Sequence, residues 1–311
     1  MRKHKFFRLY FLIIPIVLSA CATIYNPATE KQEVIFITTP MEVALGQNVA
    51  AQVAQQYAFV KDPKEVNRVT EIGNRLAKVS DRTDLKYHFA VVQDKEINAF
   101  TMPGGYIYIN SGLLEMTTDD ELACVMGHEI GHVAARHIAK KLQTQLGYDI
   151  LMSIAVRNAS VRQVQQAIDV TFGLISLGYS REDELLADRL GAKYAYKAGY
   201  DPYAMVTFLK KLKEKDKAEM GPVFLRSHPY ASQRIQMMQK ELPAIISKVD
   251  AVKAKQGIQD SGERSPFQEP QIMSGSLENK TAKRPMKVMC PKCRRIFPGT
   301  VNYCPYDGTK L

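Results

Sequence analysis

The segment His128-Glu129-Ile130-Gly131-His132 constrains the fold more tightly than any other stretch of this chain. On a helix, side chains four apart share a face, so two imidazoles can reach one metal ion. Glu129 stands beside the first of them, where it can hold a metal-bound water without taking a coordination position. Leu122, Ala123, Val125, Met126, Ile130, Val133 and Ala134 flank the motif and are apolar, so the helix that carries it is buried. Thr118 or Asp119 can cap that helix, with Asp119, Asp120 and Glu121 at its positive end. The pattern predicts that it runs to about Leu146.

Two imidazoles leave a catalytic zinc short of its usual third protein ligand. The metzincin continuation would place Gly and His at positions 135 and 138, where this chain has Ala135 and Ile138. His137 lies nine residues beyond His128, on the opposite helical face, and reads as a surface or hydrogen-bonding residue. A carboxylate from a second helix is the better source. Ser180-Arg181-Glu182-Asp183-Glu184-Leu185-Leu186-Ala187-Asp188 offers several. Alone, this segment reads equally as a solvated acidic helix start, with Glu182 and Asp183 exposed. Beside the upstream motif it reads as a ligand segment. Glu184 can complete the metal shell, and Asp188, one turn on, can accept a ring N–H from a ligand histidine.

Around these motifs the hydrophobic periodicity predicts helices over 41–57, 64–79, 145–177, 180–198, 201–215 and 231–248. Tyr87 to Val92 reads as a strand. Gly104-Gly105 breaks the chain before a second, Tyr106-Ile107-Tyr108-Ile109. The fold class is α+β, mostly helical with a small sheet. A single domain carrying these motifs is expected over 41–254, after an irregular leader at 22–40. Residues 255–287 are rich in Gly, Ser, Pro, Glu and Lys and read as a flexible linker.

The first residues read as an export signal. Arg2, Lys3, Lys5 and Arg8 precede an apolar stretch from Leu9 to Leu18, then Ser19-Ala20-Cys21. This resembles the lipobox of bacterial lipoproteins, which implies cleavage after residue 20 and lipid on Cys21; a plain signal peptide is the alternative. Several acyl chains together anchor stably. Ala22 after the cysteine favours the periplasmic face of the outer membrane, by resemblance to lipoprotein sorting rules. Those four basic residues belong to the signal, and much of the remaining excess in the net charge of +10 lies between Lys280 and Arg295. A basic tail alone supports only nonspecific attraction, so nucleic acid is not an expected partner. Cys124, in the apolar helix, reads as a small buried hydrophobe.

Taken together, the motifs closely resemble the M48 zinc metallopeptidases, relatives of the CAAX prenyl endopeptidase and of bacterial membrane-associated quality-control proteases. The matching segments are Asn98-Ala99-Phe100, Pro103-Gly104-Gly105, Gly112-Leu113-Leu114, His128 to His132, Ser180-Arg181 with Glu184 and Ala187-Asp188, and His228-Pro229 with Arg234-Ile235. Leu186 departs from relatives that carry Glu there, which is not a ligand position. The resemblance implies a gluzincin-like fold with one catalytic zinc on His128, His132 and Glu184, and Glu129 as the base. His228 is implied near the oxyanion or the metal, where it can gate the site, and Arg234 orients that segment. Gly104, Gly105, Tyr106, Ile107 and Tyr108 are implied as the edge strand on which an extended polypeptide binds. The expected activity is endopeptidase cleavage of unfolded or misassembled envelope proteins. The alternatives are a chaperone binding clients on that strand, and a tethered scaffold.

Cys290, Cys293, Cys304 and Asp307 form two knuckles that resemble a zinc ribbon, over 288–311. Asp307 stands where a fourth cysteine is expected. A second, structural zinc ion or a disulfide are both compatible with the spacing, and the module's protein partner is unknown.

Overall fold

The computed structural model describes residues 23–155, 158–216, 222–255, 287–289 and 296–298. Cys21, Cys290, Cys293, Cys304 and Asp307 lie outside the described residues. The chain divides into two units, one of Met1–Lys217 with Gly221–Phe267, the other of Ala218–Met220 with Gln268–Leu311. In the second, strands β6 (Lys287–Met289) and β7 (Ile296–Pro298) pair antiparallel. Among the described residues, no helix is long and apolar enough to cross a membrane.

The first unit is mostly helical, as its sequence pattern requires. The segment expected as an irregular leader is instead a hairpin, β1 (Thr23–Asn26) paired with β2 (Lys31–Val34). The Asn26 side chain closes its turn by accepting from the Ala28 N–H at 3.0 Å and donating to Glu33 at 2.9 Å. Helices α1 (Thr39–Gln56) and α2 (Pro63–Val79) follow, then β3 (His88–Val92), β4 (Ala99–Met102) and β5 (Tyr106–Asn110). A short 3-10 turn at Pro103–Gly105 joins β4 to β5, with Gly104 and Gly105 at positive φ.

The sheet order is β3-β5-β4, with β5 parallel to β3 and antiparallel to β4. This corrects the edge-strand assignment of Gly104, Gly105, Tyr106, Ile107 and Tyr108. Strand β5 is the middle strand, paired on both sides, so its backbone has no free edge for a peptide. The free edge nearest the helix of the motif belongs to β4. The sequence showed a glycine pair before a β-branched run but not which neighbour that run would take.

After the short α3 (Ser111–Met116), helix α4 (Asp119–Ala134) is buried at every residue from Glu121 to Ala134. A reciprocal cap starts it: the Glu121 N–H donates to Thr118 Oγ1 at 3.2 Å, and the Thr118 N–H donates to Glu121 at 3.0 Å. The helix does not run on to Leu146. Arg136 sits at φ 56°, and a separate α5 (His137–Leu146) leaves in a new direction. The left-handed turn is held because the Arg136 guanidinium donates to the Ile37 carbonyl and to Thr39 Oγ1. Arg82, buried and paired with Glu42 at 2.7 Å, donates to the Val133 carbonyl at 3.0 Å, so the end of α4 is tied to α1.

The region 145–177 is two helices, α6 (Tyr148–Ala155) and α7 (Val161–Ser176). Helices α8 (Arg181–Lys197), α9 (Ala204–Lys215), α10 (Val223–Ser227) and α11 (Ala231–Lys255) complete the unit. Ser180 caps α8, and Gly199 ends it at φ 90°.

Helices α4 and α8 meet backbone to backbone. A Cβ on Gly191 would lie 2.6 Å from the His128 nitrogen, one on Gly127 would lie 2.8 Å from the Gly191 carbonyl, and one on Gly131 would lie 2.9 Å from the Ala187 carbonyl. Gly191→Ala is therefore expected to destabilise the unit by about 1–3 kcal/mol, since backbone cannot step aside. Gly173, within α7, has nothing within 4 Å of an added Cβ. Gly173→Ala is expected to be neutral or to stabilise by roughly 0.5–1 kcal/mol through helix propensity. Urea unfolding of both variants beside the wild type checks the opposite signs.

Candidate metal centre

Helix α4 presents His128 and His132, one turn apart, toward α8. Their Nε2 atoms lie 3.0 Å apart. From α8, Glu184 brings Oε2 to 3.6 Å from His128 Nε2 and Oε1 to 3.4 Å from His132 Nε2. His128, His132, Glu184 and His228 are all buried, and one donor atom from each lies within 4.8 Å of the others. They could hold one metal ion. His228, just after α10, has Nδ1 3.0 Å from Glu184 Oε1 and 3.1 Å from His128 Nε2. It stands among the donor atoms themselves, closer than an oxyanion partner needs to be.

The residues around these four set their orientation. His128 Nδ1 lies 2.9 Å from Asp188 Oδ1, so the ring donates there and leaves Nε2 with a free lone pair. Arg234, 0% exposed, forks onto Asp188 with Nε and Nη2, both at 2.7 Å. Its Nη1 lies 2.7 Å from Glu184 Oε2 and donates to the His228 carbonyl at 3.2 Å. One guanidinium thus positions a carboxylate on α8, the partner of His128 and the backbone of His228.

His137 departs from its expected place. It is buried, with Nδ1 2.8 Å from His132 Nδ1 and Nε2 3.3 Å from Asp183. If His137 donates to Asp183, its Nδ1 accepts from His132 and leaves His132 Nε2 free for a metal. Counting 100° per residue put His137 on the far face only because it assumed an unbroken helix. The left-handed turn at Arg136 brings it back. A second residue that sequence reasoning missed is Thr101, whose hydroxyl donates to Glu129 Oε2 at 2.6 Å from the free-edged strand β4. A third is Tyr179, stacked on the His132 ring with centroids 3.8 Å apart. Cys124 is buried, as its apolar surroundings required, with its thiol toward the Asp201 carbonyl.

The electrostatics fit a dication. Burial lowers His132 to about 4, although Glu184 works against it. Burial and the Arg234 charge lower His128. For Glu184 burial pulls upward, yet Arg234, His228 and His128 hold it well below the ordinary carboxylate range. His228 moves the other way: burial would lower it, but Glu184 and Glu129 outweigh burial and raise it. The Glu184 and Asp188 carboxylates share the buried Arg234 guanidinium, and His228 is held toward its charged form beside Glu184 and Glu129. Glu129 Oε1 is buried and accepts no hydrogen bond. Imidazole nitrogens and a carboxylate suit zinc.

A buried H-E-x-x-H helix completed by a glutamate from a neighbouring helix defines a metallopeptidase-type centre. The model of peptidase family M48 matches residues 63–242, and the chain belongs to that family. The chain is 30% identical over 212 residues to a beta-barrel assembly-enhancing protease of Yersinia pestis, covering 64% of this chain and 43% of that protein. It is 30% identical over 180 residues to the metalloprotease LoiP of Escherichia coli, covering 57% of this chain and 70% of that protein. It is 28% identical over 225 residues to the mitochondrial metalloendopeptidase OMA1 of Schizosaccharomyces pombe, covering 70% and 66%. The chain thus spans under half the length of the beta-barrel assembly-enhancing proteases it matches.

Asp188→Asn and His137→Ala are each expected to weaken metal retention about 10–100-fold, because each removes the partner that orients a donor imidazole. Competition with a chromogenic chelator measures this. Unchanged affinity in both variants would show that these contacts do not orient the donors.

Proposed function

We propose that this chain is a lipid-anchored zinc endopeptidase that cleaves unfolded or misassembled polypeptides of the bacterial envelope. The observation that carries the reading is the buried Glu129 carboxylate, whose Oε1 accepts no hydrogen bond and lies 3.4 Å from His228 Nε2, beside a cluster of donor atoms from His128, His132 and Glu184. A binding protein has no need of a buried carboxylate oxygen at that point.

The roles of the residues follow from their geometry. His128, His132 and Glu184 hold the ion, which when bound supplies Lewis acidity toward the scissile carbonyl and toward water. Thr101 occupies Glu129 Oε2, so Oε1 is the oxygen that takes a proton and passes it to the leaving amine. Asp188 and Arg234 keep the His128 donor aimed, and His137 does the same for His132. His228 closes the fourth side of the cluster, its Nε2 3.4 Å from Glu129 Oε1. Substrate entry requires that side chain to give way, after which it can stabilise developing negative charge. The polypeptide lies along β4, where backbone hydrogen bonding does not depend on sequence and suits unfolded chains.

The envelope setting rests on the lipobox-like Leu18-Ser19-Ala20-Cys21 and on the similarity to bacterial proteases whose names refer to β-barrel assembly. The C-terminal cysteines Cys290, Cys293 and Cys304 with Asp307 are proposed as a separate structural zinc site.

Zinc-loaded full chain, purified in detergent, is expected to cleave unfolded casein. Glu129→Gln is expected to lose at least about 100-fold in kcat while retaining its zinc. Retained cleavage in that variant would remove Glu129 from the mechanism. Zinc-loaded wild type that binds casein without cleaving it would favour the chaperone alternative. In cells, the wild type is expected in the membrane pellet and Cys21→Ala in the soluble fraction; equal partition of the two would exclude the lipid anchor.

A further inference from the structure

A cavity of about 350 Å³ opens between β4, α7 and α10. It holds none of the metal-site donors but adjoins them. Ser227, on its wall, precedes His228, and Phe100 and Met102 flank the Thr101 that donates to Glu129. An extended polypeptide on the free edge of β4 would therefore send a side chain into this cavity within a residue or two of the cleaved bond.

The cavity is lined as a site for a long cationic side chain. Its walls are apolar and aromatic: Phe100, Met102 and Ile175, with Tyr57, whose ring centroid lies 6.1 Å from that of Phe100. Its polar lining is mixed: Tyr57, Asn98, Asn110 and Ser227 stand beside the charged groups. Asp94 and Glu96 contribute carboxylates. The one cation on the wall is the exposed Arg226, against two carboxylates. Burial and the neighbouring Asp94 raise the Glu96 carboxyl above its ordinary value despite Arg226. A hard divalent cation would want oxygen on every side, which the aromatic walls deny it. A guanidinium or ammonium on an aliphatic stem satisfies acceptors and walls together.

We infer that this cavity is a specificity subsite for a lysine or arginine side chain of the bound polypeptide. The inference rests on the reading of β4 as the substrate strand of a peptidase. It assigns the enzyme a preference for segments that carry a basic residue close to the cleavage point, on top of a backbone interaction indifferent to sequence.

The test separates the subsite from catalysis. Fluorescent peptides, neutral except for one position scanned along the chain, carry arginine or its uncharged isostere citrulline there. Anisotropy measures their binding to the zinc-loaded full chain bearing Glu129→Gln, which is expected to hold peptide without cutting it. At one position the arginine peptide is expected to bind about tenfold tighter than the citrulline peptide. On the same background Glu96→Gln narrows that ratio, and Arg226→Gln, which removes the competing cation, widens it. Equal affinities at every position, binding of neither peptide, or an unmoved ratio in both variants overturns the subsite. Wild-type protein is then assayed for cleavage of the preferred peptide. Selective binding without cleavage would leave the subsite standing and sink the peptidase reading.

Discussion

The close crossing of α4 and α8 is the constraint on which the rest of this structure depends. Side chains on two ordinary packed helices stand about 8–10 Å from axis to axis. Glycines at 127, 131 and 191, with Ala187, remove the atoms that would hold these two apart. Only at that separation does the Glu184 carboxylate reach the imidazoles of His128 and His132. A helix pair of this kind works as a rigid clamp, because its contact surface is backbone and has no rotamers to yield.

The clamp buries charge, and the arrangement of the remaining polar groups follows from that. Arg234 is fully enclosed yet meets Asp188 twice, Glu184 once and the His228 carbonyl once. A lone guanidinium there would be prohibitive, and so would the carboxylates without it. The network gives a defined tautomer to His128 and a defined place to the segment before α11. Tyr179 stacks on the His132 ring, and His228 stands on a further side of the cluster, beside Glu184 and Glu129. Val223, Arg226 and Ser227 of the short helix α10 line the cavity beside β4.

The legible part of the molecule was the part carried by local pattern. The imidazole pair, the glutamate beside the first of them, the Glu184–Asp188 turn and most helix limits follow from spacing, caps and apolar periodicity. What failed had a common cause. His137 was misplaced because periodic counting cannot foresee a left-handed residue at Arg136, which long-range donation to Ile37 and Thr39 stabilises. The β5 strand was taken for an edge because strand order depends on which segments pair, and each β3 residue pairs with one 18 positions downstream in β5. Thr101 and Tyr179 carry no motif at all; their value lies in what they touch.

The sequence by itself determined the chemistry: which residue types could bind a metal, how two of them share a helix face, and that a carboxylate must come from elsewhere. These are properties of covalent spacing and helical geometry, and they survive any choice of neighbours. The tertiary structure alone decided how near that carboxylate comes, which strand is left with an open edge, and that Asp94 and Glu96 meet aromatic walls at one cavity. Those outcomes depend on contacts between segments far apart in the chain, whose packing no local pattern encodes.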